Sequence, residues 1–294
     1  MTGTPAGSTV PRRQLGRHLR ELRTAAGYTI ATAAEMIQWS PSMLQRVEKG
    51  NMDKVRDVDV RELCRIYDAE PELVEALIGL ARQANTEEWW HSYGDLIPEN
   101  FDVYVGLETV ATSLTAYQSE LVPGLLQTAD YARTLIRTGY PNGTDAEIER
   151  RVQLRVKRQA LLKRSIRPVR YDAVLQEAVL RRVIGSSAIM KAQIKALADA
   201  STRPNVNIRV LPFSAGYPTG DLIGSFTILR FDSGGKGQAA EPPVVYMEGF
   251  TGALYVDKPS TVERYGNAHY AIQSAALGDQ ESRSLLRKLA KEYV

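Results

Sequence analysis

Residues 27–50 read GYTIATAAEMIQWSPSMLQRVEKG, and the punctuation of this stretch decides the fold around it. Just upstream, residues 14–26 put Leu15, Leu19 and Leu22 on one face of a helix that Gly27 closes. Thr29 then offers an N-cap hydroxyl to a short helix running to about Ile37, where Ala33 and Ala34 are small enough to let another helix approach. Ser40 and Pro41 open the next helix: serine is a preferred cap, and proline at the first helical position gives up an N–H that has no partner there. Leu44 and Val47 turn that helix inward and leave Ser42, Met43, Gln45, Arg46 and Lys49 outside. Lys49 and Gly50 end it, a cation at the negative end of the dipole and a residue free to take positive φ. Two short helices joined by a tight turn, the second polar on its outer face, are the helix-turn-helix arrangement that sets a helix into the DNA major groove.

Residues 14–50 resemble the repressor-type helix-turn-helix of the Cro/C1 (xenobiotic-response-element) family, with unbroken spacing from Gly27 to Gly50. In that family an arginine near the end of helix 1 pairs with a glutamate near the end of the recognition helix. The resemblance therefore implies a structural ion pair between Arg23 and Glu48. Two positions depart from the pattern: Ile30 stands where a phosphate-touching glutamine is common, and Gln38 replaces the turn glycine. Gln38 must either adopt the strained left-handed conformation or alter the turn.

On this reading the partner is double-stranded DNA, bound by a homodimer on a pseudo-palindromic site. Thr29 and the helix 2 amides would hold a phosphate, and Ser40 would cap the recognition helix at the DNA surface. Ser42, Met43, Gln45 and Arg46 would meet base edges, Arg46 suited to guanine and Gln45 to adenine. Lys49, Lys54 and Arg56, with Arg12 and Arg13 from a disordered arm over residues 1–13, would add backbone contacts. The charge distribution agrees. Up to Arg56 there are nine Lys/Arg (12, 13, 17, 20, 23, 46, 49, 54, 56) against four acids (21, 35, 48, 53). Over residues 57–85 the balance reverses to three bases against seven acids. The positive charge is gathered where a phosphate-binding face is needed.

At 294 residues the chain has room for two domains, or three small ones, each with its own core. No apolar run reaches membrane-spanning length, and residues 1–13 lack the apolar core of a signal peptide, so the expectation is a cytoplasmic protein. One cysteine, Cys64, excludes an internal disulfide and reads as a core thiol. With His18, His91 and His269 scattered, no metal site is expected, and no cofactor either.

Helices over residues 60–67 and 71–84 complete a five-helix repressor-type domain spanning 14–85. Residues 86–101, TEEWWHSYGDLIPENF, form an aromatic linker in which Trp89 and Trp90 are expected to pack on the domain that follows. Residues 104–116 and 128–139 read as helices, and 145–165 as a longer one. From residue 169 the period switches: strands are expected at 169–175, 205–212, 225–231, 244–247 and 252–256. Helices are expected at 176–183, 186–200, 260–276 and 280–293. The domain over residues 102–294 is thus α+β with a mixed sheet.

Leu107-Glu108, Tyr117, the stretch VPGLLQT over residues 122–128, Tyr131-Ala132, Arg155, Arg158-Gln159, Gln176-Glu177-Ala178 and Leu211-Pro212 are together similar to the carboxy-terminal domain of WhiJ-type regulators of actinomycetes. The resemblance implies a regulatory or partner-binding domain without established chemistry. Members are commonly encoded beside a small protein, and the pair is likened to an antitoxin–toxin module. Two roles follow as expectations: holding a small protein from a neighbouring gene, or sensing a small-molecule effector.

Between Arg150 and Arg170 stand nine Lys/Arg and no acid. A solvated face or intramolecular ion pairing, a second DNA contact, and an interface for an acidic partner or ligand all fit this run. Arg155 and Arg158, spaced i, i+3, would be able to hold an anion or partner jointly. No constellation states a reaction. SGGKGQ over 233–238 lacks the phosphate-loop spacing and precedes a strand. Glu108 and Glu177 interrupt apolar runs and are more simply partners for arginines than an acid/base pair. Tyr104, Tyr117, Tyr131, Tyr171 and Tyr246 would fit a pocket wall, but aromatic residues at this density usually belong to a core. The chain is not expected to be an enzyme.

Overall fold

Helix α1 spans Thr9–Ala25 and so begins before the expected position. Pro11 falls in its first turn, where a missing N–H breaks no intrahelical bond. Arg12 and Arg13, expected on a disordered arm, are therefore helical, and Arg12 is only 6% exposed. The structure, a computed structural model, describes residues 9–52, 54–85, 92–93, 96, 101–232 and 241–293. Trp89, Trp90, most of the 86–101 linker and the SGGKGQ loop lie outside the described residues.

The chain divides into two units, Met1–Asp95 and Leu96–Val294. In the first, α1 is followed by α2 (Ile30–Met36), α3 (Pro41–Glu48), α4 (Asp57–Ile66) and α5 (Pro71–Ala84). Thr29 accepts a hydrogen bond from Thr32 N and Ser40 one from Met43 N, so both expected caps are made. Leu15, Leu19, Ala33, Ala34, Leu44, Val47, Leu63, Cys64 and Leu77 form one buried cluster. Burial pushes the Cys64 thiol up to about 11, as a core thiol requires. Gln38 does take the left-handed conformation, with φ 58°. Gly16 is where α1 and α3 nearly touch: a Cβ there would lie 2.4 Å from the carbonyl oxygen of Val47.

The second unit opens with α6 (Phe101–Val110). The helix expected to run to residue 116 stops at Val110, and Ser113–Gln118 forms strand β1 instead. Pairing overrides local preference here, because β1 lies between β2 (Arg170–Gln176) and β4 (Phe226–Arg230), hydrogen-bonded on both edges. With β3 (Val206–Leu211), β5 (Val244–Gly249) and β6 (Gly252–Val256), the order is β3-β2-β1-β4-β5-β6. β1, β2 and β3 run parallel, and β4, β5 and β6 are added antiparallel.

The parallel crossovers carry α7 (Ala129–Gly139) and α8 (Asp145–Arg158), then α9 (Glu177–Arg181) and α10 (Ser187–Ala200). A capping box between Thr144 and Glu147 starts α8. Helix α11 (Pro259–Ala275) packs against β1, β3, β4 and β5, and α12 (Asp279–Glu292) against β3 and α10. Tyr117, Val174, Phe226, Ile228, Val245 and Ile272 form the core beneath α11. Because side chains alternate along a strand, Tyr171, Thr227, Tyr246 and Glu248 point to the opposite face, toward α6 and α8.

Candidate nucleic-acid interface and interior cavity

Helix α3 is short, so what holds it decides whether its outer face can be read. Arg23 at the end of α1 donates from Nε to Glu48 Oε1 at 2.6 Å and from Nη2 to Oε2 at 3.0 Å, a bidentate pair with both side chains buried. The same guanidinium donates from Nη1 to the carbonyl of Tyr28 at 2.7 Å, tying the turn before α2 to the pair. The Glu48 hydrogen bond raises the Arg23 pKa further despite desolvation. The ion pair expected from the resemblance is therefore present.

On the outer side Ser42, Gln45, Arg46 and Lys49 are exposed and Met43 is half-buried. Ser40 and Thr29 face outward too, with their hydroxyls engaged in capping. Lys54 is exposed. Arg56 is exposed but gripped by Asp59 through two bonds of 2.8 and 2.7 Å. Arg13 is half-buried and lies along Gly50. Arg12 is buried in α1, which removes it from the expected DNA contacts.

The second unit holds a partly open cavity of about 440 Å³ between α6, α8, the sheet and residues 121–127. Three tyrosines that had been ambiguous, Tyr104, Tyr171 and Tyr246, line it, whereas Tyr117 lies in the core and Tyr131 is fully buried. The rings of Tyr104 and Tyr246 are 4.1 Å apart, and Phe101 stacks on Tyr104 at 5.4 Å. Burial pushes all three cavity phenols up, so they remain neutral.

Glu108 and Arg158 meet at the cavity floor, Nε to Oε2 at 2.7 Å and Nη2 to Oε1 at 2.8 Å, almost fully buried. Burial works against the Arg158 charge, and Glu108 more than offsets it, so the pKa is raised. Glu108 is thus an arginine partner, as expected. Glu177 is another, bonded to Arg181 at 2.7 Å. Arg158 gives Nε and Nη2 to Glu108, and it lines the same cavity as Arg155, the residue with which its spacing predicted a joint anion site.

The basic run is not one face. Arg155 and Arg158 turn toward the cavity, Arg151 lies over the Tyr140 ring at 3.9 Å, and Arg164 donates to the carbonyl oxygen of Arg167 at 2.8 Å. The cavity wall also explains the VPGLLQT stretch. Gln127 donates from Nε2 to Val122 O at 2.7 Å and accepts from Arg155 Nη1 at 2.9 Å. Gln193 on α10 donates to Leu126 O at 2.8 Å and accepts from Thr128 N at 2.7 Å. Thr128 caps α7. Nothing in the linear sequence announces the role of Gln127. Tyr140, Thr227 and Glu248 went unnoticed because only the sheet and helix packing bring them to Arg155.

Among the described residues no helix is long and apolar enough to cross a membrane. Residues 14–77 match a helix-turn-helix domain. Residues 101–288 match a domain of unknown function (DUF5753). No curated protein matches the chain. The second match covers more than half of the 294 residues, and the chain belongs to the DUF5753 family, with a helix-turn-helix domain ahead of that domain.

Proposed function

We propose that the protein is a sequence-specific DNA-binding transcriptional regulator of the Cro/C1 type, acting as a homodimer on a pseudo-palindromic site, and not an enzyme. One observation carries the reading: α3 is clamped from behind by the Arg23–Glu48 pair while Ser42, Gln45, Arg46 and Lys49 stand exposed along its other side. Arg46 has the donor fork for guanine O6 and N7, and Gln45 the donor and acceptor for adenine. Lys49 and Lys54 supply phosphate contacts, as do the amides at the amino end of α2.

Selection of short duplexes from a random pool gives the specific site. Arg46→Ala is expected to cost about 1–3 kcal/mol on that site and little on random DNA, whereas Lys54→Ala weakens both alike and lowers the salt slope by about one. Equal losses on specific and random DNA for Arg46→Ala would refute its role as a base reader.

A second reading concerns the WhiJ-like unit. The interior cavity, within the roughly 300–1,000 Å³ usual for small-molecule sites, favours an effector-sensing domain over an antitoxin-like module for a neighbouring-gene protein. A ligand that raises the melting temperature and changes DNA affinity supports sensing. Co-purification with the neighbouring-gene product supports the antitoxin-like role.

A further inference from the structure

Among the described residues, Arg155 is the cavity guanidinium without a carboxylate bonded to it. It donates from Nη1 to the neutral amide oxygen of Gln127 at 2.9 Å, which leaves most of its five N–H donors for something else. Burial, and then the like charge of Arg158, hold it down at about 10, the mark of a cation short of compensation. Arg158 is already neutralised by Glu108. Glu248, the other acid of the lining, is exposed and pulls the Arg155 pKa upward from the cavity rim, a partial counter-charge that solvent weakens. Arg155 thus faces the cavity with donors to spare and only a weakened counter-charge, a setting that suits an anion.

The walls decide the rest of the ligand. Tyr104, Tyr171 and Tyr246 with Phe101 present ring surface, and Val122 and Leu125 add apolar wall. Flat aromatic surface is what such rings pack best. A second hollow of about 450 Å³, at the edge formed by residues 113–115 and 201–208, offers no such wall. There Asp279 is bonded to Arg209 and Arg283 to Ser201.

We propose that the cavity of the second unit is a receptor for a small planar aromatic carboxylate, gripped by Arg155 at its charged end and stacked on the Tyr104–Tyr246 wall. This deepens the effector-sensing reading and is independent of DNA binding, because occupancy is measured without DNA.

The test is calorimetric titration of the full chain with benzoate, phenylacetate and indole-3-acetate. Benzamide, inorganic phosphate and tetramethylammonium serve as comparators. At least one aromatic carboxylate is expected to bind and to raise the melting temperature, and none of the comparators. Arg155→Gln should weaken that binding about tenfold or more, the loss of a charge-assisted pair, with Lys163→Gln on the exposed surface unchanged. Should Arg155→Gln fold poorly, Glu248→Gln is the second variant: removing the competing carboxylate should tighten binding.

Failure of all three carboxylates overturns the proposal. So does equal binding of phosphate or benzamide, preference for tetramethylammonium, or indifference to both substitutions. Binding that leaves DNA affinity unaltered keeps the receptor and removes the sensing role.

Discussion

Gln38 shows how a single residue can be out of place and still be tolerated. Its φ of 58° puts a side-chain-bearing residue in the region that glycine occupies without strain. Gln38→Gly is expected to raise the stability of the first unit by up to about 1 kcal/mol in urea unfolding, with DNA affinity retained. A loss would show that Gln38 makes a contact worth more than its strain. The Glu108–Arg158 pair runs the other way. Glu108→Gln leaves a buried guanidinium uncompensated and is expected to destabilise the second unit by about 3–5 kcal/mol. Glu108→Leu with Arg158→Met should recover much of that loss. At this scale the sequence was most informative where a family resemblance implied a partner, as for Arg23 and Glu48. It was least informative where the partner is far away: nothing in a linear reading connects Arg155 to Gln127, or Arg158 to Glu108 fifty positions upstream.

Elements were legible where their ends carry chemical signals. Thr29, Ser40, Thr128, Thr144 and Ser186 all accept the cap bond that their residue types announce. Two elements escaped for definite reasons. The start of α1 was hidden by Pro11, which a first turn accommodates. Strand β1 was read as helix because its neighbours in the sheet, not its own residues, choose its conformation. The contact between α1 and α3 gives a prediction of its own. A methyl group at residue 16 would collide with the Val47 and Glu48 carbonyls at 2.4 and 2.8 Å, backbone atoms that cannot swing aside. Gly16→Ala, favourable by helix propensity, is therefore expected to cost about 1–3 kcal/mol and to weaken specific DNA binding by displacing α3. Chemical denaturation and DNA titration of the same variant check both.

For the whole molecule, two units with separate cores should unfold in separate steps, and acid should distinguish them. His269 on α11 is buried in the second unit, its Nε2 without a hydrogen bond, beside Phe226. Burial keeps its pKa below the ordinary 6.5, with Asp172 pulling upward and Arg230 and Arg209 downward. The unfolded chain then takes up a proton that the native state refuses. This contribution to stability is complete above pH 6.5 and is lost as pH falls toward the lower folded-state value. Calorimetry between about pH 7.5 and 5.5 should show the second unit's transition moving down, and His269→Gln should flatten that movement. The division into a helical unit and an α+β unit was readable from the change of hydrophobic period. The strand order was not, since β1 and β4 are adjacent in space but separated by more than a hundred residues.

The bond across Glu108 and Arg158 also bears on where the polypeptide can be cut. Any fragment meant to carry the carboxy-terminal unit must begin at or before Phe101, because one that starts after α6 keeps the guanidinium in an apolar floor and discards its counterion. The amino-terminal limit of that unit is thus set by charge neutrality, whatever the composition of the segment leading into it.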